Sequence, residues 1–423
     1  MTSAIEPHGA AAAPRSEPRR ASGGGLVEIT ATFLKLGCVS FGGPIAHLGY
    51  LRAEIVEKRK WIDDAHYSDL VALCQFLPGP ASSQLVFALG MQRAGVLGAL
   101  LASMWFTLPS ALLMIGFGYG VALAGDLHSA GWLHGLKLAA VAVVAQAVWG
   151  MGKELCPDRA RISICIAAAA AVLASSAALV QIGVIAGGGA LGWQLYRRRM
   201  APVAPSVERR AGRRHVLAGG ALVVFFALLV GLPVLSSATH SRAVAELDRF
   251  YRSGSLVFGG GHVVLPLLRA EIVHSGWLTD DRFLAGYGAA QALPGPLFTF
   301  AAYLGAAMAP DTIAWPAWPA WINGLWCLFA IFLPAWLLIG GALPFWQHAR
   351  ARPWAQASLA GANAAVVGVL LAALYTPVIS EGIRDRLDVA AALVAFGLLE
   401  RWKAPPWLLV IAMAAAGQWL LHA

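Results

Sequence analysis

One set of sequence blocks occurs twice in this chain, each time in apolar surroundings. The shared blocks are Phe-Gly-Gly, Arg-Ala-Glu-Ile-Val and Gln-x-Leu-Pro-Gly-Pro. They occupy residues 41–43, 52–56 and 75–80 in the first copy and residues 258–260, 269–273 and 291–296 in the second. Separate blocks do not recur in one order by chance, so the chain is a tandem duplication. Each copy carries helix-breaking glycines and prolines inside an otherwise apolar region.

The composition indicates a membrane protein. Of the 423 residues, 58% are hydrophobic and 13% are charged, whereas soluble domains carry about 25% charged residues. Apolar segments long enough to cross a bilayer recur along the chain, for example 97–124, 133–151 and 216–235. The alternative is a soluble protein with buried helices, but such helices need polar faces and these have almost none. We expect an all-α polytopic membrane protein with about 13 transmembrane segments.

Several classes of protein are not supported by the sequence. The net charge of +9 comes mainly from basic loops and tails, as membrane topology requires, so we expect no nucleic acid partner. The five cysteines are odd in number and form no Cys-x-x-Cys pair, so neither a disulfide framework nor a metal site is expected. Because no nucleotide-binding or hydrolase motif is present, we expect no cofactor and no enzyme activity.

The duplication divides the chain into four parts. Residues 1–25 are expected to form a disordered cytoplasmic tail, and residues 26–196 the first repeat. Residues 197–243 supply a basic linker and one extra helix, and residues 244–421 the second repeat. The positive-inside rule places the N-terminus and the arginine-rich segment 197–214 in the cytoplasm. The extra helix would then invert the second repeat relative to the first, a plan that secondary transporters use.

The Phe-Gly-Gly blocks predict breaks inside the membrane. Adjacent glycines weaken a helix by roughly 1 kcal/mol each, and a break is tolerated in lipid only beside protein or a water-filled cavity. One interpretation is a discontinuous helix whose exposed N–H groups face an anion. The other is close helix packing through small residues. The candidate residues are Gly42, Gly43 and Pro44 in the first copy and Gly259, Gly260 and Gly261 in the second.

The Pro-Gly-Pro blocks predict two half-helices in each copy that meet at a loop. Proline favours the first turn of a helix, so the second half-helix would present its positive end at that loop. A plain surface turn is the alternative, but both flanks are apolar. The candidate residues are Gln75, Pro78, Gly79 and Pro80 in the first copy and Gln291, Pro294, Gly295 and Pro296 in the second.

Basic residues at matched positions are the remaining candidates. Arg52 and Arg269 occupy equivalent positions, and each is an anion contact or an interfacial residue that snorkels to lipid headgroups. Lys35 lies inside the first apolar span, where a cation costs about 2.5–3.5 kcal/mol. Lys137 lies within another span, and its counterpart in the second copy is Asn363. A cation facing an amide suggests an asymmetric site, although Lys137 could also reach the membrane edge.

Together these residues resemble the chromate ion transporter family in its long, two-repeat form. The resemblance covers residues 26 to 421. Its markers are the blocks named above, Gly-x-Lys at 135–137 and Gly-x-Asn-Ala-Ala-Val-Val at 361–367. It implies export of chromate from the cytoplasm of a bacterium through the inner membrane, resistance to chromate, and halves of opposite orientation. The second copy departs from the first in having Gly261 where the first has Pro44.

The expected mechanism needs no ATP. Expelling a dianion through a potential that is negative inside is favourable by about 4.6 kcal/mol per 100 mV, so the membrane potential or the proton motive force would drive export. The expected partners are chromate, the lipid bilayer and a second copy of the chain in a homodimer. Transport of sulfate or another tetrahedral oxyanion stays open, as do a membrane-embedded chromate reductase and a scaffold protein without flux.

Overall fold

The computed structural model describes residues 25–41, 43–123, 131–175, 178–197, 213–257, 261–308, 319–346 and 352–419. Helices account for most of these residues, and no strand occurs among them. The predicted all-α class is confirmed. The predicted tail up to residue 24 and most of the predicted linker lie outside the described residues.

Among their described residues, the first copy and the helix that follows it contain eight α-helices. They are α1 (Gly25–Val39), α2 (Gly43–Arg52), α3 (Asp64–Phe76), α4 (Ala81–Leu123), α5 (Gly131–Leu155), α6 (Arg159–Ala174), α7 (Ala178–Tyr196) and α8 (Arg213–Thr239). A π-helical turn, Ala53–Lys58, extends α2. Helix α4 is broken at Ala94 and Gly95, where the backbone leaves helical geometry. We call its two parts α4a (81–93) and α4b (96–123).

The second copy repeats this order. Its helices are α9 (Arg242–Ser255), α10 (Val264–Ile272), α11 (Asp280–Ala292), α12 (Phe300–Ala307), α13 (Ala320–Ala342), α14 (Pro353–Ala373), α15 (Arg386–Glu400) and α16 (Pro406–Trp419). Equivalent glycines pack equivalent helices in both copies. A Cβ at Gly37 would lie 2.7 Å from the carbonyl oxygen of Phe106, and a Cβ at Gly254 would meet that of Ile331. Each of these glycines lets the first helix of its copy approach the long helix closely.

A helix ends before each Phe-Gly-Gly block, as predicted, and the chain direction reverses between the helices on either side. Near the start of α1, Glu28 accepts hydrogen bonds from Arg59 at 3.0 Å and from Arg93 at 2.8 Å. Further along, Lys35 pairs with Glu54 at 2.8 Å. Since α1 and the segment after α2 meet along their lengths, they form the two arms of a hairpin. We call it the Phe-Gly-Gly hairpin; α9 and α10 form its counterpart in the second copy.

The Pro-Gly-Pro blocks are the tips of a second pair of hairpins. At the open end of the first one, His66 Nε2 lies 3.0 Å from Gln92 Oε1, so α3 and α4a run antiparallel. At the open end of the second one, Tyr303 donates to the carbonyl of Arg282 at 2.7 Å, which joins α12 to α11. The predicted pairs of half-helices therefore exist in both copies. With 13 residues in α3 and 13 in α11, each arm reaches about 20 Å, less than a bilayer crossing.

The open ends of the hairpins lie at opposite ends of α4b. The first copy's hairpins open beside residue 96, where Glu28 and Arg93 lie; we call this end face 1. At the other end of α4b, the Tyr119 hydroxyl accepts a hydrogen bond from the backbone of Trp321 at 3.2 Å. Trp321 begins α13 beside the open ends of the second copy's hairpins, which we call face 2. The helical rise from residue 96 to Tyr119 is roughly 35 Å, close to the ~30 Å hydrocarbon core.

This arrangement gives the two copies opposite orientations across a membrane. Within the described residues, five helices are long and apolar enough to cross it, and they occupy residues 81–121, 131–155, 215–239, 320–345 and 353–382. The expected number of about 13 crossings stays a prediction. The two arms of each hairpin enter and leave at the same face, so the number of helices does not give the number of crossings.

Candidate functional site at the hairpin tips

The tips of the four hairpins meet, and they exchange hydrogen bonds between the copies. Gly79 donates its backbone N–H to the carbonyl of Val257 at 2.6 Å, and Gly295 donates to the carbonyl of Ser40 at 2.8 Å. Val257 and Ser40 are equivalent positions in the two copies. Both glycines have positive φ, +121° and +94°, which side chains disfavour. Each Pro-Gly-Pro tip is thus held by the Phe-Gly-Gly tip of the other copy.

The meeting point lies near the middle of the two long helices. A Cβ at Gly295 would lie 2.8 Å from the Ser110 hydroxyl on α4b, and a Cβ at Gly79 would lie 3.3 Å from the Cβ of Ala335 on α13. Ser110 and Ala335 follow the equivalent prolines of their helices. Both are more than ten residues from the start of their helix, so the tips meet about halfway between face 1 and face 2.

The first turn of α4a brings polar groups to this point. Ser82, Ser83 and Gln84 are at most 3% exposed. The Gln84 amide donates to the carbonyl of Pro78 at 2.7 Å, which ties the helix to its own tip. Ser83 Oγ, Gln84 Oε1 and Ser40 Oγ are buried without a hydrogen-bond partner among the described residues. Buried polar groups are normally satisfied, so these atoms are candidates for contact with a bound polar group.

His47 connects the two tips of the first copy. Its Nε2 lies 3.0 Å from the carbonyl oxygen of Ser40, and its Nδ1 lies 3.3 Å from the Ser82 hydroxyl. Because a carbonyl only accepts, Nε2 carries the proton and Nδ1 accepts from the hydroxyl. A neutral imidazole satisfies both contacts. The Phe-Gly-Gly and Pro-Gly-Pro tips of the first copy are therefore joined by a side chain as well as by packing.

The second tip is much less polar. The positions equivalent to Ser82 and Gln84 are Phe298 and Phe300, and both rings are buried. Thr299, equivalent to Ser83, donates to the carbonyl of Pro296 at 2.9 Å. The buried polar side chains therefore belong to the first copy, and the twofold arrangement of the backbone is not matched by the side chains.

The predicted cations have carboxylate partners, and they lie away from the tips. Lys35 pairs with Glu54, and its counterpart Arg252 pairs with Glu271 at 3.5 Å. Lys137 is buried and pairs with Asp281. Each cation would have to leave its carboxylate before it could bind an anion. A role for these cations in anion binding therefore stays a prediction.

The two equivalent arginines form a second matched set of ion pairs. Arg52 binds Asp64 at 2.7 Å, and Arg269 binds both oxygens of Asp280 at 2.7 and 2.9 Å. Arg52 is 47% exposed. Both pairs join a Phe-Gly-Gly hairpin to the start of the neighbouring Pro-Gly-Pro hairpin at a membrane face.

The other predicted residues are distributed as follows. Gln75 is exposed on α3, whereas Gln291 Nε2 and Asn363 Oδ1 are buried without a partner among the described residues. Gly43 begins α2 with φ +75°. The tips themselves contain Pro78, Gly79, Pro80, Pro294, Gly295 and Pro296. Gly42, Gly259 and Gly260, with the side-chain environments of Pro44 and Gly261, lie outside the described part of the chain.

Sequence reasoning missed Ser40, Ser82, Ser83 and Gln84. The signal available was the Ser-Ser-Gln run one residue after Pro80, which the second copy lacks. Among the described residues, no group of three or more His, Cys, Asp or Glu side chains is arranged to hold a metal ion.

Comparison with known proteins gives the same family for both copies. The sequence profile of the chromate transporter family matches residues 27–193 and 245–418. The chromate transport protein of Pseudomonas aeruginosa is 29% identical over 410 residues, which cover 93% of this chain and 92% of that protein. A probable chromate transport protein of Synechococcus elongatus is 28% identical over 403 residues, 93% of this chain and 95% of that protein. The chromate transport protein of Cupriavidus metallidurans is 27% identical over 399 residues, with 92% of each chain covered.

No solved structure matches this chain. The family match covers both repeats, and the relatives align along nearly the whole length. The chain therefore belongs to the chromate transporter family.

Proposed function

We propose that this protein is a secondary transporter that exports chromate from the cytoplasm across the bacterial inner membrane and so confers chromate resistance. Membership of the chromate transporter family supports the substrate. The observation that carries the proposal is the exchange of hydrogen bonds between Gly79 and Val257 and between Gly295 and Ser40. Inverted repeats that meet at mid-membrane are the arrangement in which a substrate site can be exposed alternately to the two faces.

The proposed oxyanion site is the polar tip of the first copy. The first turn of α4a directs free N–H groups and the positive end of its helix dipole toward the tip, which favours a bound anion. Ser83 adds a hydroxyl donor, since its Oγ has no hydrogen-bond partner among the described residues, whereas the Ser82 hydroxyl is engaged by His47. The anion would be held by hydrogen-bond donors without chemical conversion.

One or two basic residues would complete the site during the transport cycle. The candidates are Lys35, Arg52, Lys137 and Arg269. Lys137 is the most buried of them, at 3% exposure, so its charge is the least screened by solvent. Exchange of its partner Asp281 for the oxyanion would couple substrate binding to movement of α11, because Asp281 lies in the first turn of that helix.

The membrane potential would drive export. Moving two negative charges outward gains about 4.6 kcal/mol per 100 mV, twice the value for one charge. Face 1 would be cytoplasmic, since the arginine-rich segments 1–24 and 198–212 flank helices that begin or end there. Transport of sulfate or another tetrahedral oxyanion is the second candidate, because N–H and hydroxyl donors recognise shape and charge that these ions share.

The test is chromate flux in everted membrane vesicles that contain the protein. An imposed potential of the physiological sign should accelerate chromate movement from the former cytoplasmic side. Ser83→Ala should reduce the rate several-fold, whereas Ser163→Ala, an exposed serine that bonds only the backbone of its own helix, should not. A chromate flux that changes neither with the potential nor with the Ser83 substitution would reject the proposal. Inhibition of chromate flux by added sulfate would support the second candidate.

A further inference from the structure

A small cavity with a mostly apolar lining and four polar side chains lies at face 2, apart from the hairpin tips. Its volume is about 100 Å³, and it is enclosed by α10 and by the face 2 ends of α6, α7 and α14. Its polar lining consists of Gln181, Arg269, His274 and Thr376. Arg269 lies eight residues beyond Gly261 along the arm of its hairpin, roughly 12 Å from the tip. The cavity is therefore between the proposed oxyanion site and the outer surface.

Arg269 directs one edge of its guanidinium toward His274. Its Nε and Nη2 are occupied by the two oxygens of Asp280 at 2.7 and 2.9 Å. Its Nη1 lies 3.3 Å from His274 Nε2. With neutral histidine, Nε2 accepts from Nη1, and this donor is satisfied. With protonated histidine, Nε2 carries a hydrogen, so both groups become donors that need an acceptor.

His274 can take up a proton from the outer solution. It is exposed in the segment after α10. The charged groups that act on it are Arg269 and Asp280. Partial burial, followed by the positive charge of Arg269, lowers the pKa of His274, and Asp280 opposes this. The unliganded cavity therefore holds neutral histidine at neutral pH, and an anion bound between the two groups would favour the protonated form.

Gln181 provides an unused polar group on the opposite wall. The residue is 4% exposed, and its Oε1 has no hydrogen-bond partner among the described residues. Because the amide can turn about its last bond, it can present its NH₂ group in the same place. A buried amide without a partner is costly, and a ligand that accepts a hydrogen bond would remove this cost.

In the first copy, the equivalent arginine has a carboxylate partner in place of the histidine. At the position equivalent to His274 it has Glu57, whose carboxylate accepts from Nη1 of Arg52 at 2.5 Å. Arg52 is thus paired with two carboxylates, Asp64 and Glu57. Arg269 is paired with one carboxylate and a group that can become positive. The arginine at face 2 therefore has a titratable histidine where the arginine at face 1 has a carboxylate.

We propose that the face 2 cavity binds a tetrahedral oxyanion through Arg269, His274 and Gln181, and that protonation of His274 strengthens the binding. The ligand class rests on the proposed function, but the site is separate from the tips. An anion leaving the tips would meet this cavity before reaching the outer surface. Release would then be slower in acid, when His274 holds its proton, and faster in neutral medium.

The test is equilibrium dialysis of radiolabelled sulfate against the purified full-length protein in detergent. Sulfate stays doubly charged in mildly acidic and neutral solution, so any pH dependence belongs to the protein. The wild type should bind about tenfold more tightly at about pH 5.5 than at about pH 8, because protonated His274 adds a positively charged hydrogen-bond donor to the site. His274→Gln keeps an acceptor for Arg269 but should abolish this gain, and Gln181→Leu should weaken binding at both pH values.

His240→Asn is the matched control, since His240 is an exposed histidine at the end of α8 near face 2. Asparagine tolerates its positive φ of 52°, so this variant should keep the full pH dependence. A wild type without pH dependence, or a His274→Gln protein that retains it, would overturn the proposal. Ser83→Ala separates the two hypotheses: loss of flux with unchanged pH-dependent binding is expected. If pH-dependent binding persists in vesicles that show no potential-driven flux, the export proposal fails and the cavity site stands.

Discussion

Gly295→Ala tests whether the contact between the hairpin tips matters. Gly295 has φ +94°, and an added Cβ would lie 2.8 Å from the Ser110 hydroxyl. The same residue donates the hydrogen bond to Ser40 that joins the copies. The substitution therefore strains the backbone, crowds α4b and weakens an inter-repeat bond in one step.

The expected destabilisation by Gly295→Ala has three contributions. Placing an L-residue in left-handed geometry costs about 1–2 kcal/mol, crowding in a packed interior about 1–3 kcal/mol, and loss of the hydrogen bond about 1 kcal/mol. Gly276→Ala is the matched control, because Gly276 also has positive φ, +74°, but nothing lies within 4 Å of its Cβ. The control variant has only the cost of left-handed backbone geometry. The destabilisation of the two variants should therefore differ by about 2–4 kcal/mol.

The assay is the initial rate of chromate uptake into everted vesicles, with the amount of folded protein measured in parallel. Since each 1.4 kcal/mol is a factor of about ten, the rate of Gly295→Ala should be at least about tenfold lower than that of Gly276→Ala. Adding Ser110→Ala to Gly295→Ala removes the crowded hydroxyl and should restore part of the loss. Equal rates for the two single variants, or no recovery in the double variant, would refute the reasoning.

Three further predictions concern the helices and the faces. Arg52→Ala should change the free energy of unfolding by less than about 1 kcal/mol because its ion pairs are half exposed. Full, salt-insensitive chromate transport by this variant would exclude Arg52 from the transport pathway. Tyr196→Phe should raise the pKa of Asp158, which the Tyr196 hydroxyl holds at about 2 against a usual value of 3.8. The lowered pKa stabilises the folded chain above the usual value, and this stability is lost as pH falls toward 2. Thermal unfolding at neutral pH should therefore show a lower midpoint for the variant, and the difference from the wild type should shrink near pH 3 and disappear as the pH approaches 2. Gly135→Ala should lower the unfolding midpoint strongly, because a Cβ there would overlap the backbone of α16, whereas Gly150→Ala on the same helix meets nothing within 4 Å.

Local features of the fold followed from the sequence. The apolar segment 97–124 is α4b within one residue, and the breaks at the Phe-Gly-Gly and Pro-Gly-Pro blocks end helices where glycine and proline were expected to end them. These features depend on residues close to each other in the chain.

The reversal of direction at each break did not follow from the sequence. A glycine pair ends a helix, but whether the next helix continues across the membrane depends on distant partners such as Glu28 with Arg59 and Arg93. Hydrophobicity does not encode these pairs. For the same reason the carboxylate partners of Lys35 and Arg52 were not predicted, although the carboxylates Glu54 and Asp64 recur as Glu271 and Asp280 in the second copy.

The central claim is that the two repeats lie upside down relative to one another, so that their hairpin tips meet inside the membrane. Lys58 and Ser275 are exposed and lie at face 1 and face 2 respectively. The direct measurement introduces a single cysteine at each position in a Cys38→Ser background, where the four remaining cysteines are buried, and labels intact cells with a membrane-impermeant thiol reagent. The cysteine at position 275 should react from outside and the one at position 58 only after the membrane is opened. Labelling of both from the same side would contradict the inverted arrangement.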